Sequence, residues 1–260
     1  MIDTAVKMYD IMACNVYWDF ENSPLQKEQH KFLVSFYPTP GTPTPDLIEK
    51  IEGLGPNGYK VEFKNQMFTN FNLNGWIYDP TLNYYWYMIN LSTGFMKEGE
   101  YVVQVTCKNG DVIKKTRVQK KAISDAMVSV YLKNKQKIYD SFSPSKTKLM
   151  LAGASLKDVK CSWLTLKDVG NMDAFYVYRI AKGGSSAEAD TQKLVWWDNI
   201  YIQRVYNNDL KAGLNRGQVI IGNELKPKTS YAYFVEITDG NVQSDANICI
   251  FQPHQVFTTP

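Results

Sequence analysis

After residue 57 the chain alternates apolar and polar positions with a period of two. "GYKVEF" (58–63), "YYWYMINL" (84–91), "EYVVQVTC" (100–107) and "VIKKTRVQ" (112–119) each read as strands. Asn109-Gly110, in "KNGD" between two such runs, predicts a tight type I′ hairpin, because both central residues of that turn need positive φ. In the second strand of the hairpin, Thr116 and Val118 face one way and Lys115, Arg117, Gln119 and Lys121 the other, which predicts a half-buried strand with a wet, basic face. "KKAISDAM" (120–127) is charged and mixed and is expected to be a linker.

A second series of runs follows: "KLMLAG" (148–153), "DVKCSWLTL" (158–166), "AFYVYRIA" (174–181), "LVWWDNIYIQRVY" (194–206), "GQVIIG" (217–222), "SYAYFVEITD" (230–239) and "NICIFQ" (247–252). Polar connections, "KGGSSAEAD" and "KAGLNRG", lie between them. "VSVYLKNKQKIYDSF" (128–142) is ambiguous in period, and β-branched Val128 and Val130 tilt it towards strand. Many short strands with few helices predict sandwiches rather than α/β units. The expected fold class is therefore all-β, two tandem β-sandwich domains over residues 1–121 and 122–260.

Composition narrows the function classes. At 260 residues the chain is long enough for two cores. Its 17 Tyr and 6 Trp suit strands and recognition surfaces alike. A net charge of +3 makes no case for nucleic acid, and no apolar run approaches the ~20 residues that cross a bilayer. "MIDTAVKMYD" lacks the basic start and apolar stretch of a signal peptide, so any export signal is expected outside these residues. Cys14, Cys107, Cys161 and Cys249 form no CxxC pair; their number permits two disulfides, one per half, and their spacing does not demand them. With only His30 and His254 beside them, neither a metal site nor a cofactor is expected.

The candidate sites are aromatic and basic. On "YYWYMINL", Tyr85, Tyr87, Ile89 and Leu91 make the better core face, leaving Tyr84 and Trp86 on the other as candidates for ligand contact. On "LVWWDNIYIQRVY", Trp196, Ile200 and Ile202 turn inward; Trp197, Tyr201 and Gln203 face outward as a candidate carbohydrate platform, two spaced rings beside an amide. Lys115, Arg117 and Lys121 are candidates for an anionic polymer. "DGNVQSD", with Asp239, Asn241 and Asp245, offers oxygen ligands without the spacing of a calcium loop. No nucleophile elbow, phosphate loop or dinucleotide loop is present, and neither histidine has a supporting motif, so no catalytic residue is proposed.

Near the carboxyl end, "LKPKTSYAYFVEI" places Leu225, Pro227, Thr229 and Tyr231 at alternate positions, followed by Val235. A proline bend followed by a tyrosine that returns its hydroxyl to the backbone is the tyrosine corner of Greek-key sandwiches. With "VKCSW" and its Trp163, "FYVYR" and the closing "VFTTP", residues from about 145 to 260 resemble a fibronectin type III domain, longer than that family's ~100 residues. The first half resembles a bacterial surface immunoglobulin-like domain through "GFMKEGEYVVQVTCKNGDVIKKTRV", where Gly99, Tyr101, Val103 and Val105 parallel the later corner strand. These resemblances imply a non-catalytic, extracellular or cell-surface protein with an adhesive, spacing or binding role towards carbohydrate or a surface protein. The alternatives are an accessory module or small enzyme acting on polysaccharide, and a subunit of a surface or phage-tail assembly.

Overall fold

The computed structural model describes residues 6–20, 26–69, 73–79, 83–183 and 194–260. It is a β protein with separate sheet-built regions in two compact units. Unit 1 comprises Met1–Val16, Glu28–Lys121 and Gln243–Asn247; unit 2 comprises Tyr17–Lys27, Ala122–Val242 and Ile248–Pro260.

In unit 1, β1 (Met8–Trp18), β2 (Glu28–Phe36), β6 (Tyr84–Leu91) and β5 (Asn74–Asp79) lie side by side in that order. A second sheet runs β4 (Lys60–Phe63), β3 (Ile48–Leu54), β7 (Gly99–Cys107), β8 (Val112–Gln119). Their facing residues form one core: Phe32, Val34 and Phe36 from β2 and Tyr87 and Ile89 from β6 meet Ile51 from β3 and Tyr101, Val103 and Val105 from β7. Burying rows of large side chains between two sheets is the driving force of a sandwich. β1 and β2 are buried along nearly their whole length, so they show little alternation. A short helix, α1 (Thr44–Leu47), leads into β3.

The β7–β8 hairpin forms as expected, with a different turn. Gly110 takes φ 91° while Asn109 is not among the positive-φ residues. The Gly110 N–H donates to the Cys107 carbonyl at 2.9 Å, and the Cys107 N–H to that of Asp111 at 2.8 Å. That is a three-residue loop ending in a left-handed glycine, not a type I′ pair.

β8 also turns the other way round. Val118 is 52% exposed and Arg117 only 4%. Arg117 donates to the Ala246 carbonyl, to Asn247 Oδ1 at 2.7 Å and to the Val118 carbonyl at 2.9 Å, and Gln119 Nε2 donates to the Asn247 carbonyl at 2.8 Å. Carbonyls and an amide oxygen within unit 1 receive the two terminal nitrogens of the guanidinium, so the expected wet face is the inner one.

In unit 2, β11 (Leu194–Asp198), β10 (Phe175–Lys182) and β13 (Ser230–Thr238) are neighbours. The free edge of β13 pairs with β15 (Gln255–Thr258) through Ser230–Tyr233 and with β14 (Ile248–Phe251) through Glu236–Thr238. β9 (Lys160–Ser162) and β12 (Gln218–Ile220) form a second, two-stranded sheet. Aromatic rings fill the space between: Trp163 stacks on Tyr178 at 6.0 Å and 8°, and Tyr178 meets Tyr233 at 5.3 Å.

Three expectations fail in this unit. Residues 121–141 form a helix, α2 (Lys121–Ser141), not a linker and a strand. Ser124, Met127, Val128, Tyr131 and Ile138 are its buried positions, a helical spacing that outweighs the strand preference of Val128 and Val130. The Tyr131 hydroxyl donates to buried Asp19 at 2.8 Å, and Lys27 and Lys135 pair with the same carboxylate. "KLMLAG" forms no strand: Leu149 and Leu151 are 72% and 80% exposed. "LVWWDNIYIQRVY" is β11 followed by a helix, α4 (Ile200–Tyr206). Most of "KGGSSAEAD", residues 184–190, lies outside the described residues.

The corner at 225–231 is present. Tyr231 is 3% exposed, and its oxygen accepts the Lys226 N–H at 2.9 Å. Tyr101, its counterpart in unit 1, is 2% exposed and donates to the Lys97 carbonyl at 3.0 Å. No helix among the described residues is long and apolar enough to cross a membrane.

Candidate functional site

The residues singled out from sequence do not assemble as expected. Tyr84 and Trp86 are 6% and 8% exposed, so that face of β6 is covered. Trp197 lies on β11, but Tyr201 and Gln203 lie on α4, so no single strand face carries all three. Tyr201 is buried with its hydroxyl 3.8 Å from Cys249 Sγ, and Gln203 donates to Asp198 Oδ1. Trp197 stands opposite Arg179 in register, its ring 4.7 Å from the guanidinium carbon. Of the basic candidates, Arg117 is internal, Lys115 Nζ donates to the Tyr9 carbonyl at 2.6 Å, and half-buried Lys121 starts α2.

The open aromatic surface of unit 1 comes instead from the face of β6 expected to be core. Tyr85 pairs with Tyr78 of β5 in register. Their ring centroids are 4.9 Å apart at 41°, and Trp76 meets Tyr85 edge-on at 5.6 Å. Tyr78 is 41% exposed. Deeper along the same face, Tyr87 and Trp76 reach the sandwich core, so the row passes from core to open groove within one residue pair.

The groove at that end holds about 270 Å³ and is lined by Tyr78, Tyr85, Asn83 and the segment Thr39–Thr44. Asn83 adopts φ 53°, a left-handed conformation that asparagine tolerates. The Tyr78 hydroxyl donates to Asn83 Oδ1 at 2.9 Å, which leaves the Asn83 amide hydrogens available. The Thr44 hydroxyl is buried without a hydrogen-bond partner among the described residues. Burial, then the neighbouring Tyr78 and Asp46, raise the pKa of the Tyr85 phenol, so it remains a hydrogen-bond donor. Two ring faces with an amide and hydroxyls beside them suit a ligand with apolar faces and hydroxyl edges, which is how a pyranose is built.

A second groove of about 420 Å³, lined by residues that include Ile48, Phe63, Asn65 and Tyr87, lies in the same unit. Tyr87 donates to Asn65 Oδ1 at 2.7 Å, and Asn65 donates to the Pro45 carbonyl at 3.0 Å, so both are committed to the fold. Glu62 on its wall is 3.6 Å from Lys50. Among the described residues no carboxylate lines the tyrosine groove. No group of three or more metal-ligating side chains occurs among the described residues. Asp239 Oδ1 accepts the Ile248 N–H and Asn241 donates to the Leu210 and Ala212 carbonyls, so these two side chains of the "DGNVQSD" loop serve the fold.

Sequence alternation alone does not single out "NGWIYD" as a strand, so it gives Tyr78 no place in a site. The signal was local: aromatic-rich runs on either side of "PTLN".

No family model matches the chain, and no curated protein matches it. Among solved structures it is similar to fibronectin(III)-like modules of Clostridium thermocellum CbhA, at 8% identity over 96% of this chain and 94% of that one, with a TM-score of 0.24.

Proposed function

We propose that this chain is a non-catalytic accessory module that binds polysaccharide through the Tyr78–Tyr85 groove of unit 1. The single observation behind this reading is the pair of cross-strand tyrosine rings, one 41% exposed, in a groove with free hydrogen-bonding groups. Among the described residues no carboxylate lines the groove, and glycoside hydrolysis needs two flanking the scissile bond, which supports binding over cleavage. Unit 2 is read as a fibronectin type III-like domain and unit 1 as immunoglobulin-like. The order β11-β10-β13-β15 against β9-β12, with the Trp163 ring in the core and the Tyr231 corner, supports the first. A polysaccharide ligand favours an extracellular or cell-surface location.

The test is retention on insoluble and soluble polysaccharides in affinity electrophoresis, followed by Tyr78→Ala. Tyr78 is half in water, so its removal leaves the sandwich folded. Loss of one stacking ring is expected to weaken binding roughly tenfold, about 1.4 kcal/mol. Retention of full affinity by Tyr78→Ala, or no retention of the wild type on any glycan, rejects the groove as the site.

A further inference from the structure

Arg179 stands at the centre of the β11-β10-β13 sheet of unit 2, opposite Trp197 on one side and Phe234 on the other. Its guanidinium carbon lies 4.7 Å from the Trp197 ring centre and 5.1 Å from that of Phe234. Phe20 and Phe251 extend the ring surface, 5.6 Å and 5.7 Å from Phe234, and His254 packs on Phe20 at 4.4 Å. Apart from Phe234, each of these six residues keeps part of its surface in water.

The hydrogen bonding is incomplete. Arg179 Nε is buried and has no partner among the described residues, and neither has His254 Nδ1. Buried polar atoms are nearly always paired, and an arginine has five donors to place. Among the described residues, the carboxylate that acts on Arg179 is Glu236, and it acts through charge. Glu236 pairs with Val177, two residues along β10, so it balances the charge while leaving the donor fork free.

We propose that Arg179 and the rings around it form a second binding site, which takes the carboxylate of a uronic acid residue in an acidic polysaccharide. A planar guanidinium fork matches a carboxylate in a bidentate pair, and rings that fix its plane lower the entropy lost when that pair forms. The surrounding aromatic surface suits the faces of the sugar carrying the acid. An extended peptide is the poorer occupant: β10 is hydrogen-bonded along both edges, so no backbone is free to pair with an added strand. The inference rests on the polysaccharide reading for its class of ligand, but not on the unit 1 groove.

The experiment is calorimetric titration of the full chain with a galacturonate hexasaccharide, its methyl ester, a neutral hexasaccharide and an aspartate-rich hexapeptide. The acid is expected to bind at least tenfold more tightly than its ester. Arg179→Gln should abolish that difference, Arg179→Lys should weaken it, and Tyr78→Ala should leave it intact while reducing affinity for the neutral sugar. Equal binding of acid and ester, a difference that survives in Arg179→Gln, or stronger binding of the peptide overturns the proposal. The acid–ester comparison uses the wild type, so it stands even if a variant fails to fold. Failure of the acid with retention of the neutral sugar overturns this site and leaves the groove; the reverse result overturns the groove alone.

Discussion

At the scale of single residues, two tyrosines close the two units by opposite hydrogen bonds. Tyr231 accepts a backbone N–H and Tyr101 donates to a carbonyl. Tyr231→Phe leaves the Lys226 N–H without its partner, and the expected cost is about 1–3 kcal/mol in unit 2. Tyr101→Phe leaves a carbonyl, which tolerates under-satisfaction better, so unit 1 should lose less. Hydrogen exchange resolved by unit checks both, and an unchanged unit 2 in Tyr231→Phe contradicts the corner. His30 makes a separate prediction. Its Nδ1 lies 2.7 Å from the Gly94 carbonyl and its Nε2 2.5 Å from the Tyr59 hydroxyl, so the neutral ring donates to one and accepts from the other. Burial lowers its pKa below 6.5. The folded state therefore resists a proton that the unfolded chain takes up, and unit 1 should lose stability as the pH falls below 6.5. His254, lowered to about 4 by burial and by the Arg179 charge, acts in the same direction on unit 2 between about 4 and 6.5. Titration midpoints at or above 6.5 in NMR spectra of the folded chain would exclude this. The Tyr231 corner was legible because its residues are local in sequence; the Tyr78–Tyr85 pair was not, because it needs a strand pairing that spacing alone does not reveal.

At the scale of elements, alternation located β6, β7, β8, β10 and β13, and the inward face it predicts is the core face on β6 and β7 but not on β8. On β8 charge pointed to the wrong answer. Valines lie outward and Arg117 inward because carbonyl and amide oxygens of residues 246 and 247 are there to receive it, and those residues are more than a hundred positions away in sequence. Arg117→Met should destabilise unit 1 by about 2–4 kcal/mol, since buried acceptors lose their donor. Lys114→Met on the exposed face should change stability by less than about 0.5 kcal/mol. Equal effects in denaturant melts would restore the basic-face reading. α2 was legible in principle, through the spacing of Ser124, Met127, Val128, Tyr131 and Ile138, but β-branched Val128 and Val130 near its start obscured it.

At the scale of the whole molecule, the cysteines show what spacing cannot decide. Four in a chain of 260 residues permit two bridges, and their separation neither requires nor forbids them. In the fold, all four are buried thiols outside any disulfide, two in each unit. Cys161 is enclosed and accepts the Tyr178 hydroxyl at 3.1 Å, and burial pushes its pKa up to about 12. The thiolate is the reactive form, so a thiol held protonated inside a core is inert for two reasons, access and ionisation. The native chain should therefore react negligibly with a thiol-specific reagent and release four equivalents once unfolded in denaturant. Its melting curve should be the same with and without reductant, because no covalent loop restrains the unfolded state. A melting temperature that drops on reduction, or fewer than four thiols in denaturant, would mean that a bridge forms in solution. In that case the packing around Cys161 and Tyr178 or around Cys249 and Tyr201 would have to differ from the arrangement found here.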